Sequence, residues 1–225
     1  MSGQHRLGSF LLAATLLASP VWVVARADGD ILYDQRGSCT DHAANSQLYD
    51  SFFDTYTDIA ADDFVVPAGA TWNVGLVDVG GVYYNGPGPA PAVNVVFYQD
   101  GSGEPGTPVC TYSGLTTFAD AAGAFSITLP SACTLTAPTD ATYWVSVQAQ
   151  LDYLGSMSQW GWYGNTPQVG HPAKWQNPGG AFGACPTWGD AGVCVFAAGP
   201  DFCFALASGP TNDTIFANGF DGSTP

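Results

Sequence analysis

Basic residues are nearly missing from this sequence. Its 225 residues carry four Lys and Arg against 19 acids, a formal charge of -15. Duplex nucleic-acid binders need cations to displace counterions from phosphates, so that class is excluded. Glutamate is scarce as well: Glu104 is the only one, and the other 18 acids are Asp. With few Glu and Lys but 28 Gly and 16 Pro, long helices and coiled coils are excluded. Charged residues make up 10% and hydrophobic residues 46%, too apolar a mix for a disordered chain. No segment after the N-terminal region has about 18 consecutive apolar residues, so no membrane-spanning helix is expected.

What is present at the N-terminus reads as an export signal over residues 1–27. His5 and Arg6 form a short polar start, Phe10 to Ala18 an apolar run too short to span a bilayer, and Ala25-Arg26-Ala27 a small-x-small cleavage site. Cleavage before Asp28 removes Arg6 and Arg26 but no acid. Arg36 and Lys174 then face all 19 acids, a formal charge of -17. The expected location is secreted, extracellular or at the cell surface, where strong acidity favours solubility.

Six cysteines follow the signal. An even number in an exported chain implies disulfides, and six allow 15 connectivities. Cys185 and Cys194 bracket a short Pro/Gly loop, and Cys110 and Cys133 end neighbouring expected strands. Cys39 and Cys203 remain and would tie the N-terminal region to the last strand. Zinc is the rival use of these thiols, but there is no C-x-x-C pair, and only His42 and His171 follow the signal.

Residues 28–61 read as a polar, irregular segment with a weak helical stretch near Ala43 to Phe53. From Asp62 onward about eight to ten short strands alternate with Gly/Pro turns. Thr71 to Tyr84 places Trp72, Val74 and Leu76 on one face, with a bulge at Gly80-Gly81. Thr142 to Leu151 places Tyr143, Val145, Val147 and Ala149 on one face and Trp144, Ser146 and Gln148 on the other. This spacing predicts an all-β fold: a disulfide-stapled, antiparallel, jelly-roll-like β-sandwich over residues 62–207. Residues 208–225 form a Gly/Pro/Asn/Asp tail.

The strings ADDFVVPAGATWNVGLVDVGGVYYNGPGPAP, FSITLP, YWVSV, QWGWYGN, PAKWQNPGGAFGACPTWG and PDFCFAL carry a resemblance. They resemble a group of bacterial secreted β-sandwich domains of undefined biochemical role, over about Ala61 to Leu206. The ending IFANGFDG resembles a C-terminal IFxxGFD/E signature common on secreted proteins of gammaproteobacteria. The first resemblance implies fold and export, the second a sorting or processing tag.

Candidate chemistry is sparse. A Ser-His-Asp site needs a relaying His, and His42 and His171 both sit in turn-like contexts without a G-x-S-x-G elbow. Paired carboxylates for a secreted hydrolase can be drawn from Glu104, Asp78 and Asp152, each with a plainer use at a turn or strand end. Asp62, Asp63 and Asp201, with Asp54 and Asp58 upstream, are candidate ligands for a structural calcium ion. Capping of turns and strand starts is their competing use. Trp160, Trp162, Trp175 and Trp188 lie among amides and carboxylates, a composition suited to an aromatic platform for a sugar. Core packing competes for the same rings. The expected function is a non-catalytic extracellular module binding a glycan or cell-surface partner, with a hydrolase or structural envelope protein as alternatives.

Overall fold

A computed structural model describes residues 29–195 and 199–209. The expected signal, including its cleavage site, and nearly all of the tail with Ile215, Phe216 and Phe220 lie outside them. In chain order the strands are β1 (Ile31–Asp34), β2 (Cys39–Asn45), β3 (Gln47–Leu48), β4 (Ile59–Val66), β5 (Thr71–Val79) and β6 (Gly81–Tyr84). They continue as β7 (Ala92–Asp100), β8 (Pro105–Leu115), β9 (Phe118–Ala121), β10 (Ala124–Thr136) and β11 (Ala141–Gln150). The last are β12 (Gln159–Asn165), β13 (Lys174–Gln176), β14 (Gly189–Asp190), β15 (Asp201–Phe202) and β16 (Phe204–Ala207), with one short helix, α1 (Ala191–Cys194), after β14.

Three sheets pack together as an antiparallel β-sandwich. One runs β1-β16-β5-β10-β9, the second β14-β13-β4-β11-β7-β8, and the third β15-β12-β2 with β6 also on β12. The exception to antiparallel pairing is β3, which lies parallel to β11. First and last strands are neighbours: Ile31 pairs with Ala207 and Asp34 with Ala205. That closure of the chain ends is the jelly-roll-like feature expected from the cysteines.

The N-terminal segment departs from expectation. From Ile31 to Leu48 the segment is mostly strand, and Ala43 to Phe53 is not helical: β1, β2 and β3 are built into all three sheets, and the irregular part is the loop 49–58. The sandwich therefore begins at β1, not at Asp62. The hydrophobic pattern hid this, because Asn45, Ser46 and Gln47 are polar yet at most 8% exposed. Their polar groups are matched by partners inside the fold, so no apolar alternation marks them.

Burial follows the pleat elsewhere. Val93, Val95 and Phe97 of β7, Val145 and Val147 of β11, and Phe125, Ile127 and Leu135 of β10 fill one core. In β5 the buried residues are Val74, Val77 and Val79, while Leu76 turns partly outward. The phase slips at Gly75, opposite a bulge in β10 between Thr128 and Cys133. Gly80-Gly81 is a break rather than a bulge: the chain leaves β5 and enters β6 in another sheet. Gly81 is required there, because a Cβ would stand 2.7 Å from the Trp160 indole. Strand β11 is buried on both faces, with Trp144 covered by the stacked His171 ring at 6.0 Å.

The three disulfides pair as expected. Cα separations are 5.3 Å for Cys39–Cys203, 6.0 Å for Cys110–Cys133 and 5.8 Å for Cys185–Cys194. They fit an oxidising, non-cytoplasmic setting. Among the described residues no helix is long and apolar enough to cross a membrane.

Cys39–Cys203 closes 164 residues and Cys185–Cys194 only 9. Chain entropy then predicts that Cys39→Ser with Cys203→Ser costs about 5 kcal/mol, and Cys185→Ser with Cys194→Ser roughly 3 kcal/mol. Urea unfolding of both double variants should give that order; the reverse order would contradict it.

Candidate functional site

The four tryptophans proposed as a surface platform do not form one. Trp160 and Trp162 have no exposed surface and Trp175 is 2% exposed. Alternation on β12 turns Trp160 and Trp162 inward, where Trp160 stacks on Phe125 at 4.8 Å and Trp162 on Phe202 at 5.0 Å. Each indole N–H donates to a buried carbonyl: Trp160 to Gly123 at 2.8 Å, Trp162 to Cys203 at 2.9 Å and Trp175 to Asn45 at 2.8 Å. A large apolar ring whose one donor is satisfied belongs in a core. Trp188 alone is partly exposed, and it sits edge-on to Tyr98 at 6.2 Å, apart from the other three.

A different aromatic group faces solvent. Tyr49, Phe53, Tyr56, Tyr153, Gln159 and Phe182 line a cavity of ≈ 310 Å³. A second hollow of ≈ 250 Å³ shares Gln159 and Phe182 and reaches Asn45, Asp58 and Tyr84. The rings form a continuous chain. Tyr49 lies 6.0 Å from Tyr153, Phe53 5.0 Å from Tyr153, Phe53 6.1 Å from Tyr56, and Tyr56 5.2 Å from Phe182. The same three loops carry exposed apolar side chains: Phe52 at 74%, Leu154 at 64%, Met157 at 56% and Phe182 at 41%.

Polar contacts hold the three loops in place. The Asp50 carboxylate accepts from Phe52 N on its own loop and from Tyr153 N at 2.9 Å and Leu154 N at 3.0 Å on the next. Those backbone donors, Leu154 first, hold the Asp50 carboxyl below its usual range. Asn177 fixes the third loop: its amide donates to Thr55 O and Thr57 O, and its oxygen accepts from Phe182 N at 2.9 Å. Backbone contact is close there, since a Cβ on Gly179 would meet Thr55 at 2.4 Å.

Beneath the cleft lies a buried polar strap. The Asp58 carboxyl accepts from Gln47 N at 2.7 Å and from the Asn45 amide at 2.6 Å. The Gln47 amide donates to Leu151 O at 2.7 Å and its oxygen accepts from Trp160 N at 2.9 Å. Asn45 and Gln159 both donate to the Tyr49 hydroxyl at 2.8 Å, and Tyr84 donates to Asn45 Oδ1 at 2.7 Å. Burial pushes Asp58 from 3.8 up to about 8, with the Asn45 and Gln47 hydrogen bonds opposing that shift only in part. Burial likewise raises the Tyr49 and Tyr84 hydroxyls.

Of the expected calcium ligands, Asp62 separates from Asp63 and Asp201. Asp62 and Asp63 point to opposite faces of β4, as adjacent strand residues must. Asp62 turns inward and is fully used: Oδ2 accepts from Gln35 Nε2 at 2.6 Å and Phe202 N at 2.7 Å, and Oδ1 from Asp63 N at 2.9 Å. Burial first, then the Asp201 charge, push its carboxyl well above the usual range. Asp63 and Asp201 turn instead to the Val169–His171 turn. Asp54 opens a short 3-10 turn at the cleft, and Asp58 belongs to the strap. Among the described residues no three His, Cys, Asp or Glu side chains gather closely enough to hold an ion by themselves.

The remaining candidates have local roles. His42 is exposed beside Asp41 at 3.7 Å, and His171 stacks on Trp144. Asp78 pairs with Arg36 at 3.0 Å. Glu104 sits in the exposed turn between β7 and β8, and Asp152 is exposed with its carbonyl accepting from Ser156.

The molecule is thus a disulfide-stapled β-sandwich with an aromatic cleft built from three loops that leave β3, β11 and β13 at one end of their sheet. Compared with known protein families, curated proteins and solved structures, the chain matches none.

Asp58 also sets a pH dependence. Burial pushes its carboxyl in the folded state up to about 8, above the ordinary 3.8, so between these values the folded state holds the extra proton. Its contribution to stability is then full at low pH and is lost as pH rises from about 4 towards 8. Melting midpoints measured across that window should fall with pH, and Asp58→Asn should flatten the slope. An identical slope in the variant would contradict the assignment.

Proposed function

We propose that this chain is a secreted bacterial β-sandwich module, non-catalytic, that binds a glycan of a cell surface or extracellular partner through the aromatic cleft. The observation that carries the reading is the cleft itself: a chain of aromatic rings open to solvent, edged by exposed Phe52, Leu154, Met157 and Phe182. Exposed apolar surface gathered around a cavity marks an interaction site. Sugars offer an apolar C–H face to such rings and hydroxyls to amides such as Gln159. The charge of -15 favours neutral over anionic glycans. The expected signal, the three disulfides and the resemblance to secreted β-sandwich domains support export.

The hydrolase reading has less support. A glycosidase sets two carboxyl groups across the sugar bond. Asp58, Asp78 and Asp120 each line a separate hollow as its one acid, and none of the residues that line the aromatic cavity is a carboxylate.

A panel of neutral oligosaccharides screened by titration calorimetry tests the proposal. Each ring contributes roughly 0.5–1.5 kcal/mol, so Tyr153→Ala and Phe182→Ala should each weaken binding up to about tenfold. Trp188→Ala should leave it unchanged. Binding that is lost with Trp188→Ala but kept in the two cleft variants would overturn the placement of the site.

A further inference from the structure

We propose a second site, independent of the aromatic cleft: a calcium-binding position beneath the Val169–His171 turn, with Asp63, Asp201 and Asn165 as its protein ligands. The two carboxylates grip the same three-residue turn. Asp63 Oδ2 accepts from His171 N at 3.0 Å, and Asp201 Oδ2 accepts from Val169 N. Each spends one oxygen on the turn. The other, Oδ1, is buried in both residues and has no hydrogen-bond partner. Asp63 is 1% exposed and Asp201 has no exposed surface.

Asn165 supplies an uncharged oxygen. It pairs directly with Asp201 across β12 and β15, so the two side chains share a face about 5 Å apart at Cβ. It is 4% exposed, and its Oδ1 too is buried without a partner. A polar atom buried without a partner costs about 1–3 kcal/mol, and more when charged. Three of them around one turn are resolved by one hard cation, which takes carboxylate and amide oxygens together.

Among the described residues no Lys or Arg competes for the position, and the imidazole near Asp63 is that of His171, which stacks on Trp144. Lys174 is held by Asp190, and Arg36 by Asp34 and Asp78. Gly170 makes room: a Cβ there would stand 2.5 Å from both Asp63 carboxylate oxygens. The exposed turn leaves space for water and backbone oxygens to complete the shell. A flexible oxygen set of that kind suits calcium better than magnesium, which demands near-ideal octahedral geometry.

The test uses the chain without its signal, first stripped with chelator and then titrated with calcium chloride. Extracellular sites bind with dissociation constants of about 0.1–1 mM. At roughly 10 mM calcium the melting midpoint should therefore rise by about 3–10 °C and fall back with excess chelator. Asp201→Asn and Asn165→Ala should lose most of that shift. Terbium gives a readout that does not depend on melting: Trp144 lies directly across from Asp63, so its excitation should sensitise bound terbium, and Asp201→Asn should abolish the emission. A midpoint unmoved by calcium, or variants responding as the parent does, would overturn the site.

Discussion

The aromatic cleft depends on a stretch of polar backbone buried between sheets. Asn45, Ser46 and Gln47 pass between β4, β11 and β12, where water cannot satisfy them. Each is therefore matched from inside. Ser46 Oγ donates to Val147 O at 2.7 Å and accepts from Ala60 N at 3.0 Å, while Asp58 closes the loop back onto Gln47 N. A buried network of this kind specifies one arrangement, because every alternative strands a donor or acceptor. From that anchor the chain emerges as the loop bearing Tyr49, Phe52, Phe53 and Tyr56. The rings on the outside are positioned by amides and a carboxyl on the inside.

The same anchor explains the division of labour among aromatics. Trp160, Trp162 and Trp175 lie on strands and are drawn inward by the pleat, and each finds a carbonyl for its N–H. Tyrosines and phenylalanines on loops escape that rule and meet at the end of the sheet where β3, β11 and β13 stop. Asp50 and Asn177 then bind three loops from distant parts of the sequence into one wall. Asp, so abundant here, mostly serves as an acceptor for backbone N–H groups: Asp50, Asp58, Asp62, Asp63, Asp100 and Asp201 all do so.

Much of the fold was legible in the sequence, and little of the site. Gly/Pro turns and period-two stretches such as Thr142 to Leu151 announce antiparallel strands, and loop position with elimination pairs the cysteines. The strands β2 and β3 were not legible, since Cys39 to Leu48 reads as polar and the burial of Asn45 to Gln47 rests on hydrogen bonds to residues up to 130 positions away. The cleft was hidden for a related reason. Tyr49, Phe53, Tyr56, Tyr153 and Phe182 come from three separate segments, and only the fold brings them together. The cluster YDSFFDTY, which ends two residues short of β4, was the one local signal available: aromatics dense in a polar loop have no strand face to fill. Trp160 and Trp162 misled because composition marks a tryptophan but not the face it takes.

The buried strap's role is to hold the cleft in shape. It is tested most directly by hydrogen–deuterium exchange on Gln47→Leu, which keeps the side chain's bulk but removes its bonds to Leu151 O and Trp160 N. Protection should collapse across residues 46–58 and at Trp160, while amides of β5, β7 and β10 stay protected. Unchanged exchange across 46–58 would contradict that role.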